Sequence, residues 1–328
     1  MTQRATLDEL EAAHEVIRAV VPPTPQYHWP LLAERAGCET WVKHENHTPV
    51  GAFKLRGGLV YIADHVRRLG PEAGVITATR GNHGQSIATA CARFGARATV
   101  VVPHGNSREK NAAMRAQGAE LVVHGDDFQE SVEYARERAQ ADGLLMLPSF
   151  HPLLVQGVGT YALEFFRARP DLDAVYVPIG LGSGICGVIS ARDALGLKTH
   201  VIGVVADGAP MYKLSVEAGR PIATNRADTM ADGMACRTPV EEAFEIIRAG
   251  AERIVSVSDA QIRAAMRAYF HDTHNVAEGA GAAPLAALLA EREAMRGKRV
   301  GLILTGGNID RDLFAEVLSE RDSEEERT

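Results

Sequence analysis

The chain has 328 residues, of which 46% are hydrophobic and 23% charged, and it carries a net charge of −7. That composition fits one large or two medium soluble domains, and the acidic balance gives nucleic acid nothing to bind. Four cysteines, Cys38, Cys91, Cys186 and Cys236, are scattered with no CxxC pair, which excludes a zinc framework and suits a reducing cytoplasm.

The N-terminus, MTQRATLDELEAAHEVI, has no apolar core of a signal peptide, and no window of 18 apolar residues would span a membrane. The first unusual segment runs Lys43-His-Glu-Asn-His-Thr-Pro-Val-Gly-Ala-Phe-Lys-Leu-Arg-Gly-Gly58. Lys54 opens a helical run over 55–68 after a Pro–Gly turn, so it leaves a helix start. The flanking Phe53 and Leu55 are compatible with the partly desolvated site that a nucleophilic lysine needs. An ordinary surface lysine is the alternative.

Strands are expected at Gly74–Thr79, Ala98–Pro103, Ala119–Val123, Ala174–Pro178, His200–Val205, Arg253–Val257 and Val300–Thr305. Most lack period-2 polar alternation and read as strands buried on both faces of parallel sheets. Helical stripes alternate with them at Asn82–Phe94, stopped by Gly95, at Ser107–Gln117, stopped by Gly118, and at Gly182–Leu195. The alternation predicts an α/β architecture with right-handed crossovers. The acidic end, Ser319–Thr328, reads as a solvated, frayed tail.

Three loops at strand ends carry chemistry. The first is Thr79-Arg-Gly-Asn-His-Gly-Gln85. The second, Gly180-Leu-Gly-Ser-Gly184, follows a strand and opens a helix, a geometry that binds phosphate through backbone N–H groups. Gly182-x-Gly184-x-x-Gly187 also satisfies GxGxxG, and Asp207 follows the next strand, as a nicotinamide dehydrogenase would require. Tight packing would equally explain these glycines. The third loop is Leu304-Thr-Gly-Gly-Asn308.

Taken together, Ala52-Phe-Lys-Leu-Arg-Gly57 resembles the (S/A)FKxRG signature of fold-type II pyridoxal-phosphate enzymes, the threonine and serine dehydratases, serine racemase and their relatives. Thr79–Gln85 resembles their SxGNHxQ loop, Gly180–Gly184 their tetraglycine phosphate cup, and Leu304–Asn308 their SGGN strand end. The likeness covers about residues 10–315. It implies two three-layer αβα domains with mostly parallel twisted sheets, a small domain of residues 49–148 inserted in a large one of 1–48 and 149–328.

The resemblance implies a role for each site residue. Lys54 carries pyridoxal 5'-phosphate as a Schiff base, beside Phe53, and takes the Cα proton. Asn82 bonds the cofactor's 3-hydroxyl, with a helix N-cap as its alternative reading. Gly180, Gly182, Ser183 and Gly184 cradle the phosphate, and Thr305 meets the pyridine nitrogen as a neutral hydroxyl, with a plain strand-end threonine before a Gly-Gly turn as its alternative. Glu278, in Val276-Ala-Glu-Gly-Ala-Gly-Ala282, lies near the ring or is a helix first-turn carboxylate. Thr79, Arg80, Gly81 and Ser149 face the substrate. His83 does so too, unless it is a structural histidine, and a plain turn before Pro152 is the alternative for Ser149.

Two departures narrow the expected activity. Where serine racemase has a second serine in this loop, the chain has Arg80, a poor acid–base at neutral pH. That disfavours racemisation, and unless Arg80 is a salt-bridged loop arginine it could suit a substrate with a second carboxylate, such as 3-hydroxyaspartate, or an aromatic one, such as phenylserine. Divalent-metal-activated relatives place a Glu and an Asp where Val205 and Met211 stand, so no such site is expected. The carboxylates of Asp228–Gly233 leave a monovalent cation or a plain polar loop open.

The reading is a pyridoxal-phosphate-dependent dehydratase of a β-hydroxy-L-amino acid, threonine or serine by default, yielding a 2-keto acid and ammonia. A homodimer in the cytoplasm, without nucleic-acid or membrane partners, is expected. Racemisation or β-replacement is the first alternative and a nicotinamide dehydrogenase the second.

Overall fold

The computed structural model of the chain describes residues 4–320. Ten strands fall into two sheets: β1 (Gln26–His28), β2 (Glu39–His44), β3 (Val75–Ala78), β4 (Ala98–Val102), β5 (Glu120–Val123), β6 (Leu145–Met146), β7 (Ala174–Pro178), β8 (His200–Ala206), β9 (Arg253–Val257) and β10 (Arg299–Leu304). The larger sheet has the order β1-β2-β10-β7-β8-β9 and the smaller one β5-β4-β3-β6. Every pairing is parallel except β1 with β2.

The strands expected from apolar runs are present, and β3, β4 and β7 are buried along their whole lengths. Two expectations need correction. Strand β5 is an edge strand, with Glu120 and Val123 exposed, and β9 is only half-buried for most of its length, because each has a neighbour on one side alone. Strands β1, β2 and β6 were not foreseen. β1 and β6 have three and two residues, and β2 ends in Lys43-His44, polar residues that are buried here. The acidic end is also more ordered at its start than expected. Ser319 closes the helix Arg311–Ser319, and Glu320 accepts from Arg263 Nε and Arg267 Nη1 at 2.6 Å each. Residues 321–328 lie outside the described part.

Helices cover the sheets. The helix Gly279–Ala290 is buried from Gly279 to Leu288, as a helix with no polar face must be, and packs on β7 and β10. The helix Lys54–Leu69 packs on Asn82–Phe94 and on Pro152–Ala168. Close approach there depends on Gly157, where a Cβ would meet the Arg56 carbonyl at 2.5 Å. No helix among the described residues is long and apolar enough to cross a membrane.

The three chemistry-bearing loops follow the C-terminal ends of β3, β7 and β10, where ligands of open parallel sheets bind. They meet around the start of the helix Lys54–Leu69. Phe53 N–H donates to the Thr305 carbonyl at 2.9 Å, and Ala52 bridges Gly306.

Candidate active site

Lys54 is the first residue of its helix and lines a cavity of about 360 Å³. Burial pulls its amine below the usual lysine range, against the opposing pull of Cys236 and Glu278, and Lys110 lowers it further. A lysine so placed is neutral more often than a surface one, which is what a nucleophilic amine requires.

The loop after β3 forms the adjoining wall. Thr79 Oγ1 accepts the N–H of Gly81 at 3.0 Å and of Gly84 at 3.3 Å, so its hydroxyl shapes the turn. The helix Asn82–Phe94 is capped by Gly81, one residue before the cap position considered for Asn82. The N–H groups of Asn82 and His83 find no acceptor among the described residues, leaving a helix N-terminus ready for a carboxylate. Arg80, Gly81 and Ser149 line the same cavity. His151, two residues after Ser149, caps the helix Pro152–Ala168 by accepting the Leu153 N–H at 3.2 Å.

His83 is 8% exposed and its Nε2 is buried without a partner. Burial, with Lys54 adding to it, depresses its pKa to about 3, so the imidazole is neutral. Cys236 stands on the same cavity wall, its thiol pushed up to about 11 by burial.

The Asn82 side chain is bound at both ends. Its Nδ2 donates to Glu278 Oε1 at 2.7 Å, and its Oδ1 accepts from Asn308 Nδ2 at 2.9 Å. Asn308 Nδ2 also donates to the Val50 carbonyl at 2.8 Å. Glu278 occupies the N-cap position of the helix Gly279–Ala290, yet its carboxylate turns away from that helix toward Asn82, and burial raises its pKa. Lys110 Nζ lies 3.9 Å from Glu278 and 3.3 Å from Asp232. Asp232 thus pairs with a lysine within the polar loop Asp228–Gly233.

The glycine loop after β7 opens the helix Ser183–Ala194. Gly182 has φ +104°, and a Cβ there would lie 2.8 Å from Ala243 Cβ; a Cβ on Gly180 would lie 2.1 Å from the Gly233 carbonyl. Only glycine serves at either place. The N–H groups of Gly182, Ser183 and Gly184 have no acceptor among the described residues, and Tyr212 Oη holds the loop by donating to the Leu181 carbonyl at 2.9 Å. Such convergent N–H groups at a helix start form an anion cup. Phe53 links this cup to the lysine, because a Cβ on Gly184 would lie 3.7 Å from the Phe53 ring. Thr305, 2% exposed, adjoins Phe53 through its carbonyl, and its hydroxyl makes no hydrogen bond among the described residues. Leu181 lines the cavity, whereas Thr305 and the other cup residues are not among its lining residues.

Lys110, Cys236, Asn308, Arg226 and Arg237 are site residues that sequence reasoning did not assign. Lys110 had a weak signal, since it shares the buried stripe of the helix Arg108–Ala116 with Met114, four residues on.

Residues 17–306 match the family model described as pyridoxal-phosphate dependent enzymes. An L-threonine ammonia-lyase of Thermotoga maritima is 32% identical over 315 residues, 96% of this chain and 78% of that protein. Among solved structures, the processed form of threonine deaminase isoform 2 from Solanum lycopersicum superposes with a TM-score of 0.87 at 30% identity, covering 97% of this chain and 94% of that one. A pyridoxal 5'-phosphate-dependent aspartate racemase superposes with a TM-score of 0.90 at 30% identity, covering 95% and 98%.

Proposed function

The chain belongs to the pyridoxal-phosphate-dependent enzyme family, and on that premise we propose that it eliminates water from a β-hydroxy-L-amino acid, L-threonine or L-serine by default, releasing a 2-keto acid and ammonia. The observation that carries the proposal is the Lys54 amine, drawn toward neutrality by burial on a cavity wall that also presents the open N–H groups of Asn82 and His83. The nicotinamide reading of GxGxxG is set aside by the family.

The residues present fit a phosphorylated pyridine aldehyde. The amides of Gly182, Ser183 and Gly184, with Gly180 beside them and the Ser183 hydroxyl, would hold the phosphate. Lys54 would take the aldehyde carbon, the unclaimed Thr305 hydroxyl the ring nitrogen, and the second Asn82 amide hydrogen the ring hydroxyl. When bound, the cofactor supplies an electron sink for the charge left at Cα.

The chain's own residues divide the rest of the work. The Asn82 and His83 N–H groups grip the substrate carboxylate and fix the orientation of Cα. Lys54 Nζ takes the Cα proton. At neutral pH two titratable neighbours exchange protons poorly: the His83 imidazole is hard to protonate and the Cys236 thiol hard to ionise. Arg80 is permanently charged. An arginine standing where serine racemase has its second serine favours elimination over the racemisation named for the aspartate racemase neighbour. Net, Cα–H and Cβ–O bonds break, a proton and hydroxide leave as water, and water then hydrolyses the resulting imine to keto acid and ammonia.

A homodimer in the cytoplasm completes the proposal. The test is a substrate panel of L-threonine, L-serine and threo-phenylserine with the holoenzyme, followed by keto-acid release and chiral analysis of the residual substrate. Keto acid without D-isomer is expected. D-isomer accumulation without keto acid would make the protein a racemase.

A further inference from the structure

The cavity wall carries more positive charge than its own carboxylates balance. Both carboxylates on that wall are engaged. Asp127 accepts the Glu130 N–H at 2.9 Å as the N-cap of the helix Phe128–Asp142, and Asp232 faces Lys110 at 3.3 Å. Arg80, Arg226 and Arg237 line the same wall, and none of their guanidinium groups makes a hydrogen bond or ion pair among the described residues. Elsewhere on the surface, Arg138, Arg167, Arg169 and Arg263 each hold a carboxylate.

The placement of these three groups is built into the backbone. Thr224 N–H donates to the Arg237 carbonyl and Thr224 Oγ1 to the Arg226 carbonyl, both at 2.8 Å, so the two arginines leave from adjacent points of one loop. Arg80 comes from the other sheet, two residues after β3. Arginines from loops that follow strands of both sheets thus line a cavity that also holds Lys54 and the turn at Asn82 and His83. A planar guanidinium pairs with a carboxylate through two parallel hydrogen bonds, which gives both attraction and orientation.

We infer that the site selects β-hydroxy amino acids whose Cβ carries a second carboxylate, with 3-hydroxyaspartate as the smallest member. The inference rests on the elimination reading above and deepens it. The α-carboxylate takes the Asn82–His83 turn, and the β-carboxylate takes the arginines. Loss and return of one water convert 3-hydroxyaspartate to oxaloacetate and ammonia, with no oxidant or co-reactant needed.

Kinetics of the holoenzyme with threo-3-hydroxyaspartate and threo-3-hydroxyasparagine, which have the same shape with and without the charge, test the inference. The acid is expected to exceed the amide in kcat/KM by about tenfold or more, a difference of about 1.4 kcal/mol. The gap should narrow as ionic strength rises from about 0.05 to about 0.5 M, since exposed charges are screened over a few ångströms at the upper end. In the doubly substituted R226Q/R237Q enzyme the acid-to-amide ratio should fall toward one. Equal turnover of acid and amide, a ratio untouched by the double substitution, or a preference for phenylserine over the acid would overturn it.

Calorimetry with L-aspartate and L-asparagine, which have no β-hydroxyl to lose, separates this inference from the reaction beneath it. Tighter binding of aspartate with no keto acid from any substrate would remove the elimination reading and keep the charge selection. Equal affinities would remove the charge selection even if threonine were turned over.

Discussion

Arg56 donates from Nε and Nη2 to the two carboxylate oxygens of Glu45, at 2.8 and 3.0 Å, and neither side chain has any solvent exposure. Glu164 closes the other side of the guanidinium, accepting from Nη1 at 2.7 Å and from Nη2 at 3.0 Å, and Lys43 Nζ donates to Glu164 at 2.6 Å. Two cations and two anions are thereby buried together, and the pair of carboxylates raises the guanidinium pKa further. The cluster fixes the start of the helix that carries Lys54, two residues before Arg56. Removing one partner of a buried pair strands the other charge, so Arg56→Met should cost about 3–5 kcal/mol. Denaturant unfolding measures this, and a loss under about 1 kcal/mol would show that the cluster is not what holds that helix start.

Gly182→Ala should lower cofactor affinity as well as stability. Its φ of +104° suits glycine, and the new methyl would press on Ala243. The conformational cost is of order 1–3 kcal/mol. Gly219, at φ +68° with nothing near its Cβ position, is the matched control. Gly219→Ala should lose some stability and retain cofactor affinity, as read by cofactor titration. Equal retention in both variants would remove the anion cup from Gly182.

With the cofactor stripped, Lys54 should be the most readily acylated lysine at neutral pH. Its depressed pKa raises the neutral fraction, and the cavity gives small reagents access. Brief treatment with a limiting acetylating reagent, read by peptide mass spectrometry, should modify Lys54 about tenfold faster than the exposed Lys198, and reloading the cofactor should abolish the difference. Labelling of Lys54 no faster than of Lys198 would contradict a neutral, reachable amine.

His44 predicts a stability slope with pH. Trp29 Nε1 donates to His44 Nε2 at 3.0 Å, so the ring is neutral and its Nδ1–H faces Asn46 Oδ1 at 3.2 Å. Burial, with His47 stacked on it, depresses its pKa to about 4. Unfolding releases a histidine that protonates near 6.5, so the unfolded chain binds the extra proton between the two values. Stability from this group is therefore complete above about pH 6.5 and lost as pH falls toward 4, by about 1.4 kcal/mol per unit. The slope of unfolding free energy over that window should be shallower in His44→Asn than in the parent. An unchanged slope would assign the pH dependence to other groups.

How much of this was legible in the chain differs from element to element. Strands β4 and β7 announce themselves because residues buried on both faces form unbroken apolar runs, and the helix Asn82–Phe94 ends where Gly95 adopts φ +75°. Strand β2 does not, because Lys43 and His44 look like solvent-facing residues until Glu164 and Trp29 are brought to them. The site shows the same division. Lys54, Asn82 and the glycine loop sit in local motifs that carry the family resemblance. The link between Asn82 and Glu278 spans 196 residues and has no local periodicity to betray it.

The role of Arg80 shows the division within one residue. The chain alone identified it as a cation in a loop where serine racemase has serine, and left its partner open between a structural salt bridge, a substrate carboxylate and an aromatic ring. The tertiary structure placed Arg226 and Arg237 on the same wall and occupied both nearby carboxylates elsewhere. Sequence by itself determined the strands that run apolar throughout and the glycine turn that opens the helix Ser183–Ala194, because backbone conformation depends on neighbours within a few residues. Only the tertiary structure decided the charge balance of the cavity, since electrostatic pairing depends on distance in space, and the two sheets bring side chains from residues 80, 127, 226 and 237 to one wall.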